Sequence, residues 1–157
     1  MMRLHLVFVG KTSFPELETG IRRYLDRLDH YAPTEVHLVK AEKITAKTGE
    51  DAVREREGRR IANLVGKQDV LVVWDQRGRQ LDSVGLARFV EGLMTKGTSH
   101  LWMVIGGPLG TWHGLLERAD SLLSLSPMTF PHDLARLMVV EQLYRAFTIL
   151  KGEPYHK

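Results

Sequence analysis

The sequence predicts one α/β domain built on a mostly parallel sheet flanked by helices, and three observations lead there. Short apolar runs of strand character alternate along the chain with longer runs of helical period. The run Asp69–Asp75, DVLVVWD, is apolar on both faces, as a strand in the middle of a parallel sheet must be. A chain of 157 residues, 43% hydrophobic and 26% charged, suffices for one buried core, so residues 1–157 are read as a single domain.

The elements follow in order. RLHLVFVG, Arg3–Gly10, reads as a buried strand closed by glycine. The next helix carries Ser13 as its expected N-cap, Pro15 in the first turn and Glu16 three residues after the cap. Leu17, Ile21, Tyr24, Leu25 and Leu28 recur along one face until Pro33 ends the run. Glu35–Ala41 is a second strand, and the polar stretch from Glu42 to Asp51 a loop. A charged helix over Asp51–Val65 leads to the strand Asp69–Asp75. QRGR then turns the chain into a helix capped at Asp82 or Ser83, with Leu86, Phe89, Val90 and Leu93 on its inner side. His100–Gly107 is another buried strand. A short helix at Trp112–Ala119 precedes SLLSLSPMTF, which is strand-like as far as Pro127. The last helix, His132 to about Lys151, is apolar almost all round, so it is expected to be buried on more than one side.

Composition removes several chemistries. Without cysteine there are no disulfides, thiolate nucleophiles or cysteine–zinc sites. The seven histidines include no pair at HxxxH spacing, so no metal site is expected. A formal charge of +3 is compatible with a nucleic-acid partner but is far from a histone-like tail. The first ten residues lack the long apolar core and cleavage site of a signal peptide. The longest stretch free of acidic and basic residues, Gly97–Leu116, is broken by glycines and a proline, so no membrane span is expected and the reading is cytoplasmic.

The turn VIGGPLG, Val104–Gly110, invites comparison with three ligand-binding loops. A P-loop needs a lysine after its last glycine, and none follows. A dinucleotide fingerprint needs a different spacing after the first strand, whereas this turn follows the fourth. Gly107–Gly110 matches GxxG literally, but Pro108 and Leu109 bring neither charge nor a free proline N–H for a nucleic-acid backbone. A plain strand-to-helix turn explains the glycines equally well.

Read together, LHLVFVGK, VWDQRG, VIGGPLG, MTFPH, EQLYRAF and the closing PYHK resemble the RlmH family of SPOUT-class RNA methyltransferases over essentially the whole chain. The C-terminal third is the specific part. The resemblance implies a homodimeric SPOUT α/β fold whose C-terminal chain forms a trefoil knot. It also implies methyl transfer from S-adenosylmethionine to N3 of one pseudouridine in large-subunit ribosomal RNA of the assembled ribosome. Carried over by motif, Trp74, Gly106, Gly107 and Gly110 form two walls of the cofactor site, and Leu125, Ser126, Pro127, Met128, Thr129, Phe130 and Pro131 form the third. A bulky residue at Gly107 is expected to abolish cofactor binding with the fold intact.

N3 methylation requires removal of an imino proton, and the polar candidates are His132, Arg136, Tyr155 and His156. His132 reads equally as a helix-capping residue, and Arg136 as a nucleotide contact or an exposed helix arginine. Glu141 and Arg145 are spaced for a helix ion pair. Tyr155 is expected to stack on the target base and His156 to meet its polar edge or a phosphate. Basic residues are spread over Arg22, Arg23 and Arg27, over Lys40, Lys43 and Lys47, and over Arg54, Arg56, Arg59 and Arg60, diluted by nearby acids. Two rival readings remain: a SPOUT enzyme acting on another RNA, such as transfer RNA, and a non-catalytic RNA-binding protein of the same fold.

Overall fold

In the computed structural model, which describes residues 1–157, the chain runs β1 (Arg3–Val9), α1 (Pro15–Asp29), β2 (Thr34–Val39), α2 (Glu50–Ala62), β3 (Val70–Gln80), α3 (Ser83–Thr95), β4 (His100–Ile105), α4 (His113–Arg118), β5 (Ser121–Ser124) and α5 (His132–Leu150). The five strands form one sheet in the order β2-β1-β4-β3-β5, and every pairing is parallel.

Alternation along the strands divides the interior in two. Leu4, Leu6 and Phe8 of β1 and Met103 and Ile105 of β4 point to one face, where Ile21 and Leu28 of α1, Leu86 and Val90 of α3, and Val139 and Leu143 of α5 meet them. Val7, Val9, Val73 and Val104 point to the other, against Ile61 of α2 and Leu115 of α4. Each such side chain, fully withdrawn from water, contributes about 1.5–3 kcal/mol. Helix α5 packs against both α1 and α3, which explains its apolar circumference.

Three local expectations are corrected. Phe14, not Ser13, is the N-cap of α1, and its side chain makes no capping bond. Instead the backbone N–H groups of Ser13 and Phe14 donate to Asp133 Oδ2 at 2.7 and 3.3 Å, so a carboxylate from α5 caps α1 across the fold. Strand β3 does not stop at Asp75. It bulges between Trp74 and Arg79 and pairs with β5 on both sides of the bulge. Gly78 sits inside it, where a Cβ would lie 2.6 Å from the backbone carbon atoms of Leu122 and Leu123. Finally β5 ends at Ser124, and Leu125–Pro131 runs on as irregular chain. The cap of α3 is Asp82, whose Oδ1 accepts from Gly85 N–H at 2.6 Å.

No helix is long and apolar enough to cross a membrane.

Candidate functional site

Parallel strands leave their C-terminal ends, and the loops that follow, on one edge of the sheet. Here β3, β4 and β5 end side by side, and a cavity of about 560 Å³ opens beyond them. That is within the ordinary range for a small-molecule site. Trp74, Asp75 and Gln76 line it from the β3 bulge. Gly106, Gly107, Gly110 and Thr111 line it from the turn after β4. Leu125, Ser126, Met128, Thr129, Phe130 and Pro131 close it from the β5–α5 chain, and His132 follows at the start of α5. Of the cofactor residues expected from the sequence, Pro127 alone does not line the cavity.

The three walls are tied to one another. Gln76 Nε2 donates to Thr129 Oγ1 at 2.9 Å, joining the bulge to the loop before α5. Ser124 Oγ donates to the Ser126 carbonyl at 3.0 Å, and Ser126 Oγ accepts from Met128 N–H at 3.0 Å. In the glycine turn the Gly107 carbonyl accepts from Gly110 N–H at 3.0 Å, and Gly110 adopts φ +84°, which only glycine takes without strain. Gly107 has another reason to be glycine. A Cβ there would lie 3.3 Å from Val9 Cγ1 and 3.8 Å from Glu57 Oε1, so it would meet the core behind the turn. A substitution at Gly107 would therefore press on the Val9 side chain as well as on whatever occupies the cavity.

Charge in the cavity is fixed by neighbours. The Arg77 guanidinium bonds both oxygens of Asp75, at 2.8 and 3.0 Å, and holds its carboxyl below the usual carboxylate range. Burial, then the Arg136 cation, pushes the His132 imidazole down, against a smaller opposing pull from Asp133. Its Nε2 lies 3.2 Å from Asp133 Oδ1. The indole Nε1 of Trp74 is buried with no partner in the protein, a donor at the wall where a ligand would sit.

Arg136 does not reach this cavity. It is fully buried over the Phe8 ring, donating to the Val9 carbonyl at 2.7 Å and to Thr12 Oγ1 at 3.1 Å, with Asp133 Oδ1 at 3.5 Å. The nucleotide contact expected of it is therefore corrected to a positioning role, because no surface of the guanidinium is free. Tyr155 and His156 also stand elsewhere. The Tyr155 hydroxyl donates to Glu141 Oε1 at 3.0 Å and lies 3.4 Å from Tyr24 Oη, with its ring edge-on to Tyr144 and under Arg145. His156 Nδ1 is 3.2 Å from Arg145. Glu141 and Tyr24 line a second cavity of about 600 Å³, which shares Trp74, Ser124, Leu125 and Phe130 with the first. The predicted Glu141–Arg145 pair is present at 2.6 Å.

Sequence reasoning missed Asp75, Gln76, Thr111 and Asp133. The first two stand directly after Trp74 in the VWDQRG motif, and Asp133 is spaced i, i+3 from Arg136, so the signal was present in each motif. The basic residues of α2 are largely matched by acids: Arg54 by Glu50 and Asp51, Arg59 by Glu55, and Arg60 by Glu42.

Comparison with known proteins agrees with this geometry. Residues 2–156 match the family described as "Predicted SPOUT methyltransferase". A protein of Syntrophobacter fumaroxidans named ribosomal RNA large subunit methyltransferase H is 60% identical, covering 99% of this chain and 100% of its own length. Proteins of the same name from Christiangramia forsetii and Enterococcus faecalis are 43% and 41% identical, each over 99% of this chain and at least 99% of their own length. Among solved structures, a probable methyltransferase from Bordetella pertussis shares the fold, with a TM-score of 0.58 at 15% identity, covering 93% of this chain and 96% of its own. With its parallel sheet, its cavity at the strand ends and these relatives, the chain belongs to the SPOUT methyltransferase family.

Proposed function

We propose that this protein uses S-adenosylmethionine to methylate N3 of a pseudouridine in large-subunit ribosomal RNA, acting as a homodimer on assembled ribosomes in the cytoplasm. The observation that carries the reading is the convergence of three separate motifs, VWDQ, IGGPLG and LSPMTFPH, on one cavity at the strand ends. The names of its full-length relatives supply the RNA class. The family's C-terminal trefoil knot and the single domain over 1–157 belong to the same reading.

The cavity fits the cofactor in kind. Trp74, Ile105, Leu125 and Phe130 offer apolar walls for a purine, and the unpartnered Trp74 indole N–H offers a donor. The Gly106–Gly110 turn presents main chain there. When bound, S-adenosylmethionine supplies an electrophilic methyl group on its sulfonium. The protein's part is to hold the base still and accept its imino proton. His132 is suited to that task because it lines the cavity and its burial beside the Arg136 cation favours the neutral imidazole, which can accept a proton. Asp133 and Arg136 position His132 from behind. Tyr155 and His156 lie outside the cavity of their own chain, and in this reading the tail completes the pocket of the partner subunit.

The test is methyl transfer from labelled S-adenosylmethionine to ribosomes from a strain lacking the gene, mapped by mass spectrometry. One methyl group on a large-subunit pseudouridine is expected. Labelling of transfer RNA alone, or tight cofactor binding with no transfer to any RNA, would replace this reading with one of its rivals.

A further inference from the structure

Three of the seven histidines, separated by tens of residues in sequence, meet at the other end of the sheet. In the parallel register His5 of β1 stands beside Glu35 of β2, and His37 follows on the same face two residues on. On the other side His5 stands beside Trp102 of β4, with His100 two residues before it. His5 Nδ1 lies 3.0 Å from His37 Nε2, and His37 Nε2 lies 3.8 Å from Glu35 Oε2. Two ligands ~2.0–2.1 Å from a tetrahedral zinc ion are roughly 3.4 Å apart, so the two separations bracket what such an ion requires.

The surroundings prepare His5 as a ligand. Its Nε2 is 2.9 Å from His100 Nδ1, and a proton held there leaves the Nδ1 lone pair facing His37 and Glu35. Its ring stacks on Trp102 at 4.1 Å and 11°, and Trp102 Nε1 donates to Asp69 Oδ2 at 2.8 Å, which fixes the stack. Burial and the two neighbouring imidazoles disfavour protonation of His5, so it is available as a neutral donor. Arg3 engages Glu35 Oε1 at 2.9 Å and leaves Oε2 on the imidazole side. Glu35 is half exposed, so water can complete the coordination.

We propose that His5 Nδ1, His37 Nε2 and Glu35 Oε2 bind one borderline divalent transition-metal ion of the zinc type, with His100 orienting His5. Two imidazoles and one carboxylate select such an ion over calcium or magnesium. The ion ties edge strand β2 to β1 and takes no part in methyl transfer, because the cavity lies beyond the opposite ends of the strands. In the metal-free protein the His5–His37 contact is an ordinary imidazole hydrogen bond, and titration separates the two states.

The experiment is zinc titration of the full, untagged chain after chelator treatment, followed by calorimetry and thermal melting, with cobalt as a spectroscopic probe. One zinc per chain at micromolar concentration, with a rise in Tm, is expected. His37→Ala and Glu35→Gln each lose that binding by at least ~10-fold, and His100→Ala weakens it by about 10-fold or more. Glu35 is half exposed, so its variant keeps the fold and separates lost ligation from lost structure. Methyl transfer stays at the wild-type level in Glu35→Gln. Absence of stoichiometric binding, or binding unchanged in both the His37 and Glu35 variants, overturns the proposal.

Discussion

At Gly107 an added side chain would press on Val9 behind the turn, and this alters what a substitution there measures. Gly107→Val is expected to lower Tm together with S-adenosylmethionine affinity, read by calorimetry and melting on the same preparation. Loss of affinity with an unchanged Tm would mean that the turn moves freely away from Val9. His132 gives a pH signature. Its folded imidazole holds a proton less readily than an unfolded one, which titrates near ~6.5. Its contribution to stability is therefore complete above that value and is lost as pH falls below it. Methyl transfer is expected to decline through the same acid range, and His132→Gln to have low activity without that decline. A variant that keeps the wild-type acid limb would assign the limb to another group.

Between elements, the most telling contact is the one that α5 makes with the β1–α1 connection. Arg136 and Asp133 are both buried, and together they satisfy the Val9 carbonyl, the Thr12 hydroxyl and the Ser13 and Phe14 N–H groups that lead into α1. Removing one partner of such a pair strands the other, at a cost of about 3–5 kcal/mol. Arg136→Met is expected to lower Tm by roughly 6–12 °C or more, checked by differential scanning calorimetry. Double replacement of Arg136 and Asp133 should cost less than the sum of the single changes, since the two face each other at 3.5 Å and each single change leaves the other charge unpaired. The same contact shows where sequence reading stops. Periodicity placed all ten elements, and the quoted motifs located ten of the eleven expected cofactor residues at one cavity. Those signals are local. The cap of α1 comes from a residue about 120 positions away, and the imidazole row draws on β2, β1 and β4 at once, so neither leaves a trace in local spacing. Arg136 misled for a related reason: a helix arginine is ordinarily exposed, and only the tertiary packing of α5 over Phe8 turns it inward.

At the scale of the molecule, the cavity at the C-terminal ends of β3, β4 and β5 and the tail cluster around Glu141 lie side by side, joined through Trp74, Ser124, Leu125 and Phe130. Deleting Tyr155–Lys157 removes nothing that lines the cavity at the strand ends. The truncated protein is expected to keep its S-adenosylmethionine affinity and lose methyl transfer by about 100-fold or more, a loss of the size that a positioned catalytic contact supplies. Full transfer by the truncated chain would remove the tail from the reaction. The α5 cap on α1 bears as well on how the protein is made. Because Ser13 and Phe14 find their acceptor only at Asp133, the first helix emerges from synthesis long before its own end can be closed. Nearly the whole chain must be translated before the N-terminal turn is finished, so folding has a late, non-local step and an early segment that must wait for the last.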